Sequence, residues 1–159
     1  MTGAAYAARL HGPPPRHDKL LLATDLSEAS AAATDEAFEL ARGFGAQLLV
    51  VSVIDPGTLL RPGGRASTRM DQVRARRAQL AQTLVERGRT EGVTVSFLVW
   101  EGDPGNMIVE AATAEGVDMV LVGSHGRGAV GRFFLGSVSD HVVRHAPCPV
   151  LVVRPRERG

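Results

Sequence analysis

Five short apolar runs, each separated from the next by a stretch whose apolar residues recur at about 3.6-residue spacing, constrain this chain more than any other feature. The runs cover residues 20–23, 48–54, 93–99, 119–122 and 150–153. They are uninterrupted and rich in Val, Leu and Ile, which is the pattern of strands buried on both faces of a parallel sheet. The intervening stretches read as helices. Ser27 is placed to N-cap a helix reaching about Arg42, with Ala29, Ala33, Ala37, Leu40 and Phe44 on one face and Gly43 and Gly45 ending it. A second helix spans about 67–89, with Met70, Val73, Leu80 and Leu84 inward and Arg69, Arg76 and Arg87 outward. A third opens at Asp103-Pro104, an acidic cap followed by proline at the first helical position, and turns Ile108, Ala111 and Ala112 inward. The last starts at Ser137, carries Val138, Val142 and Val143, and is broken by Pro147.

The order is therefore β-α-β-α-β-α-β-α-β. With right-handed crossovers this is an α/β three-layer sandwich: a five-stranded parallel sheet in the order 3-2-1-4-5, with four helices. In such a sheet the first and fourth strands are neighbours, and the strand order reverses between them. Ligands bind there, outside the carboxyl ends of the strands.

Two segments fall at that point. Thr24-Asp25 follows the first strand, and Gly123-Ser124-His125-Gly126 follows the fourth, with Gly136-Ser137 nine residues further on. The spacing is Gly-x2-Gly-x9-Gly-Ser. Gly123 lets the backbone leave the sheet without a Cβ in the way, and Gly126 can take a positive φ. Together they can aim several N–H groups at one anion. Gly136 returns the chain to the same place, and Ser137 opens a helix whose unpaired N–H groups and dipole favour a phosphate. The hydroxyls of Ser137 and Ser139 can add hydrogen bonds. Arg127 and Arg132 can neutralise charge or simply be solvated. His125 is a contact candidate rather than a catalyst. Glycines at a strand–helix junction are also common turn punctuation, but three of them with a serine at the switch point favour an anion site.

Asp25 can accept from ribose hydroxyls or hold Mg²⁺ through water, and it can equally join Ser27 in capping the first helix. Val53, ending the second strand, is either an apolar wall for a base or a core residue. Two alternatives fail on spacing. Gly126-Arg127-Gly128-Ala129-Val130-Gly131 spells Gly-x-Gly-x-x-Gly, but no helix begins within it and the next strand ends in Arg154 rather than an acid. No Gly-Lys-Ser/Thr of a Walker loop is present.

At 159 residues the chain suits one domain, expected over 19–155, with a flexible N-terminal tail over 1–18 around Pro13-Pro14-Pro15 and a short C-terminal tail over 156–159. A formal charge of +1 and 4% aromatic residues argue against nucleic acid as a partner. The arginines between 61 and 89 read as a solvated helix face. No run reaches the ~18 apolar residues of a membrane span, and no signal-peptide pattern opens the chain. The lone Cys148, between Pro147 and Pro149, reads as a buried, inert thiol. A cytoplasmic location is the expectation.

The chain resembles the universal stress protein family from Lys19 to Arg154. The resemblance is carried by Leu22-Ala23-Thr24-Asp25-Leu26-Ser27, Ser52-Val53-Ile54-Asp55, Gly102-Asp103-Pro104, Val122 to Gly126 with Gly136 to Ser139, and Ala146 to Val153. It implies a Rossmann-like fold similar to the adenine nucleotide α-hydrolases, and the Gly-x2-Gly-x9-Gly-Ser spacing resembles that of the ATP-binding branch. It further implies Asp25 near the ribose and Val53 against the adenine. Gly123, His125, Gly126, Gly136, Ser137, Val138 and Ser139 would line the phosphates and ribose. A homodimer pairing the strand Val150–Val153 with its copy is also implied. Many members carry His where this chain has Ser52. The function expected is a nucleotide-dependent regulator of stress adaptation, binding ATP with Mg²⁺ and hydrolysing it slowly at most. The alternatives are an ATP pyrophosphatase or nucleotidyl transferase, which usually places a Ser/Gly-rich loop after the first strand, and a structural dimer module that binds nothing.

Overall fold

The computed structural model describes residues 16–59, 66–124 and 135–155. In chain order the elements are β1 (Lys19–Ala23), α1 (Ala31–Phe44), β2 (Gln47–Ile54), α2 (Ala66–Glu91), β3 (Val95–Glu101), α3 (Pro104–Ala114), β4 (Met119–Gly123), α4 (Ser137–His145) and β5 (Val150–Val153). Short 3-10 turns cover Glu28–Ser30 and Pro56–Leu59. All four strand pairings are parallel, and the order is β3-β2-β1-β4-β5, as expected from the sequence.

Alternation along the strands sorts the core into two halves. Leu20 and Leu22 of β1 and Leu48 and Val50 of β2 meet Ala33, Ala37, Phe38 and Ala41 of α1, with Leu84 of α2 packed against them. Leu21, Ala23, Leu49 and Val51 point the other way, onto Ile108, Ala111 and Ala112 of α3 and Val142 of α4. Each fully buried Leu contributes about 2 kcal/mol relative to an exposed one. The surface ion pairs are worth about 0–1 kcal/mol each, so the two apolar layers decide the fold. Among the described residues no helix is long and apolar enough to cross a membrane.

The structure corrects several details. β3 is half-buried or exposed along its length and β5 is half-buried throughout, because each is an edge strand with one neighbour. Only the three inner strands carry the double burial that the apolar runs suggested. In α1 the inward residues include Phe38 and Ala41, whereas Phe44 is 46% exposed and Ala29 precedes the helix. The helix runs through Gly43 and ends at Gly45, whose φ of 67° returns the chain while its N–H caps the carbonyls of Ala41 and Arg42.

Arg87, expected to point outward, faces solvent only in part. Its guanidinium lies 4.2 Å from the centre of the Phe38 ring and pairs with Asp35 at 2.8 Å and Glu91 at 2.7 Å, joining α2 to α1. Partial burial opposes its charge, but the hydrogen bonds to Glu91 and Asp35 and their charges together outweigh that, and its pKa is raised.

α2 meets β3 at Gly88. A Cβ there would stand 2.5 Å from the Val93 carbonyl oxygen and 2.5 Å from Val95 Cγ2. Gly88→Ala is therefore expected to destabilise the fold by about 1–3 kcal/mol despite alanine's better helix propensity. Urea unfolding against the parent chain checks this.

Candidate functional site

β1 and β4 end side by side. Ala23 is in register with Val122, so Thr24 and Gly123 leave the sheet as neighbours. Thr24 keeps one more ladder bond, from its N–H to the Val51 carbonyl at 3.0 Å, before the chain turns. The turn is built from its own side chains. Thr24 Oγ1 accepts the Leu26 N–H at 3.0 Å and donates to Ser30 Oγ at 2.8 Å. Leu26 is held at a φ of 62°, the one non-glycine residue with positive φ among the described residues. Asp25 Oδ1 accepts the N–H of Ser27 at 2.9 Å and its hydroxyl at 2.5 Å.

This alters the role expected of Ser27. It sits at the N-cap of the short 3-10 turn, but its side chain caps nothing, because Asp25 holds its hydroxyl. Ser30, not Ser27, is the residue before α1 proper. A Ser and an Asp two apart compete for the same N–H groups, and the Asx turn wins here.

On the other side, β4 ends at Gly123 and Ser124 follows, buried to 3% exposure. Its N–H donates to the Val153 carbonyl of β5 at 2.9 Å, and its carbonyl accepts the Gly136 N–H at 2.9 Å. That second bond closes the base of the loop, bringing Gly136 and α4 back beside the exit of β4, as the glycine spacing implied. Gly136 is the N-cap of α4, with Ser137 exposed as its first residue and Val138 36% exposed beside it. Ser139 is buried, and its hydroxyl donates to the Gly136 carbonyl at 3.0 Å, with the Ser124 carbonyl at 3.5 Å. In this arrangement Ser139 braces the loop base. His125, Gly126 and Arg127, together with Arg132, lie outside the described residues.

Val53, the penultimate residue of β2, is half-buried, its side chain packed against the α3/α4 half of the core. The site thus gathers Thr24, Asp25, Gly123, Gly136 and Ser137 at the switch point, with Val53 one strand away. Among the described residues no group of three or more His, Cys, Asp or Glu is arranged to hold a metal.

Two residues at this end of the sheet escaped the sequence reading. Ser124 Oγ is buried and has no hydrogen-bond partner among the described residues, an orphaned hydroxyl within the glycine motif. Arg77 of α2 reaches the end of β2, its Nη1 2.7 Å from Ser52 Oγ and 3.3 Å from the Val53 carbonyl oxygen. The signal for Arg77 was its phase. It falls between Val73 and Leu80 on the stripe assigned to the interior.

Cys148 is half-buried rather than fully buried. Partial burial pushes its thiol pKa up and the Asp118 charge adds to this, with a backbone hydrogen bond at Val120 opposing. The folded chain therefore keeps the thiol proton longer than the unfolded one, and stability falls as pH rises from the ordinary thiol pKa toward the raised value. At pH 8 the native thiol is expected to react with iodoacetamide more slowly than the urea-unfolded chain, read by mass spectrometry. Thr24→Val keeps the shape but removes the acceptor for Leu26 N–H, and is expected to cost about 1–3 kcal/mol by urea unfolding.

The sequence profile of the universal stress protein family matches residues 17–154. A universal stress protein of Thermus aquaticus is 36% identical over 141 residues, covering 85% of this chain and 97% of that one. The solved structure of universal stress protein UspA from Lactobacillus plantarum superposes with a TM-score of 0.73 at 26% identity, over 88% of this chain and 99% of that one. Two more distant structures share the fold, each with a TM-score of 0.62. One is a universal stress protein in complex with cAMP, 23% identical over 88% of this chain and 98% of that one. The other is an Arabidopsis thaliana family member with AMP bound, 22% identical over 88% of this chain and 93% of that one.

Proposed function

The chain belongs to the universal stress protein family, and from that premise we propose that it is an adenine-nucleotide-binding regulator of stress adaptation, with ATP and Mg²⁺ as its ligand. One observation carries the reading. The Thr24-Asp25 turn and the Gly123–Ser137 motif leave adjacent strands where the sheet order reverses. The orphaned hydroxyl of Ser124 fits a site that takes a polar ligand, since a buried hydroxyl without a partner costs about 1–3 kcal/mol. The distant relatives solved with AMP and cAMP agree with the same ligand class.

In this reading Val53 flanks the base, and Asp25 accepts from the ribose or orients water on Mg²⁺. Gly123, His125, Gly126, Gly136, Ser137, Val138 and Ser139 surround the phosphates, with Arg127 adding charge. Bound ATP supplies a charged polyphosphate and a cleavable anhydride. The chain's own residues favour holding it over cleaving it. The sole lysine, Lys19, starts β1 at the opposite end of the sheet and is paired with Glu115 at 2.6 Å. It is therefore not available to the phosphates, and we read hydrolysis as slow at most.

We also propose a homodimer through β5. Its edge is half-buried, and Leu135, Val138 and Val143 expose apolar surface at 38%, 36% and 45%.

Calorimetry with ATP and Mg²⁺ is expected to show saturable binding that Gly126→Val abolishes and Asp25→Ala weakens. Absence of heat from the parent chain, with no nucleotide released on denaturing the purified protein, would sink the proposal.

A further inference from the structure

α2 turns Met70, Val73, Arg77, Leu80, Ala81 and Leu84 toward the sheet at helical spacing, and Arg77 stands in the middle of that otherwise apolar stripe. What it meets is set by strand parity. Leu48, Val50, Ser52 and Ile54 of β2 all face the α1/α2 side, so Ser52 places a hydroxyl, 1% exposed, in an apolar layer. A hydroxyl buried that deeply needs a partner. Arg77 Nη1 supplies it at 2.7 Å and reaches the Val53 carbonyl at 3.3 Å.

The Val53 carbonyl is at a break in the ladder. The Val51 carbonyl accepts the Thr24 N–H and so points to β1, while the Ile54 carbonyl accepts the Gly102 N–H and points to the β3 side. Val53 therefore opens toward β1. The next rung would come from Leu26 N–H, but Leu26 turns to a φ of 62° and gives that proton to Thr24 Oγ1. β1 leaves one step too soon, and Arg77 takes up the carbonyl instead. In a strand the N–H and C=O of one residue point the same way, so Val53 presents a donor beside an acceptor to the crevice above β1. The carbonyl has two lone pairs and can accept a second bond. A donor–acceptor pair in this order suits the N1 and 6-amino group of adenine. It does not suit guanine, whose N1–H and O6 reverse the order.

We propose that Arg77 is a positioning residue for the base end of the site. By standing in for the missing rung it fixes the end of β2, and with it the preference for adenine over guanine. This rests on the nucleotide reading above.

The test is calorimetry of ATP and GTP binding to the full chain and to Arg77→Met, Arg77→Lys and Ser52→Ala, at a temperature where circular dichroism shows each folded. Arg77→Met is expected to weaken ATP roughly tenfold and GTP less, so the ATP-to-GTP preference falls. Arg77→Lys, retaining one charged donor, recovers part of it. An unchanged preference in Arg77→Met, whether its affinities are unaltered or fall together, overturns the role. If Arg77→Met does not fold, Ser52→Ala carries the test: a reduced preference supports the proposal and an unchanged one overturns it. A parent chain that binds no adenine nucleotide overturns the nucleotide reading and this inference with it. A parent that binds ATP alongside an indifferent Arg77→Met overturns only the role of Arg77.

Discussion

β1 is the element on which the rest of the structure depends. Leu20, Leu21 and Leu22 are wholly buried, and the strand is hydrogen-bonded to β2 on one side and β4 on the other. Its entry is held by a carboxylate. Asp118, just before β4, accepts the N–H groups of Asp18 at 2.8 Å and Lys19 at 2.9 Å. Its exit is held by Thr24, whose side chain gathers Leu26 and Ser30. A strand with both faces covered and both edges paired cannot slip without exposing leucines. The crevice at its carboxyl end inherits that rigidity, and polar residues placed there act from a fixed base.

Charge plays a secondary part in this frame, with one local exception. Several ion pairs among the described residues, such as Arg89 with Glu86 and Arg144 with Asp140, join neighbouring turns of one exposed helix and contribute little. The set formed by Asp35, Arg87, Glu91 and Arg42 is different. It crosses between α1 and α2, and its central guanidinium also covers Phe38. An arginine in that position packs as much as it pairs. That is why a side chain assigned to solvent from the sequence belongs to the seam between two helices.

The architecture was legible because burial on both faces leaves an unmistakable pattern, and the inner runs 20–23, 48–54 and 119–122 have it. The edges were not, since β5 reads Val-Leu-Val-Val and differs in burial only because nothing lies beyond it among the described residues. Asp103 capping α3 was readable from an acid before proline, and its carboxylate does accept the Asn106 N–H. The role of Ser27 was not, because an Asp two residues earlier offered its hydroxyl a nearer partner. The closure of the glycine motif was visible in its spacing, and the Gly136 bond to Ser124 realises it. The residues of that motif from 125 to 134 lie outside those described, so the reading of its phosphate contacts stands on spacing and resemblance.

Arg76 and Arg77 show where a sequence pattern stops discriminating. They are adjacent and chemically identical, and only helical phase, about 100° per residue, separates a solvated cation from one aimed at the sheet. Arg76 is exposed, whereas Arg77 meets a buried serine. The two positions are also linked through the strand. A serine at 52 can accept from a guanidinium, whereas an aliphatic residue there would remove one hydrogen bond from half-buried Arg77. Ser52 and Arg77 are therefore best understood as one unit.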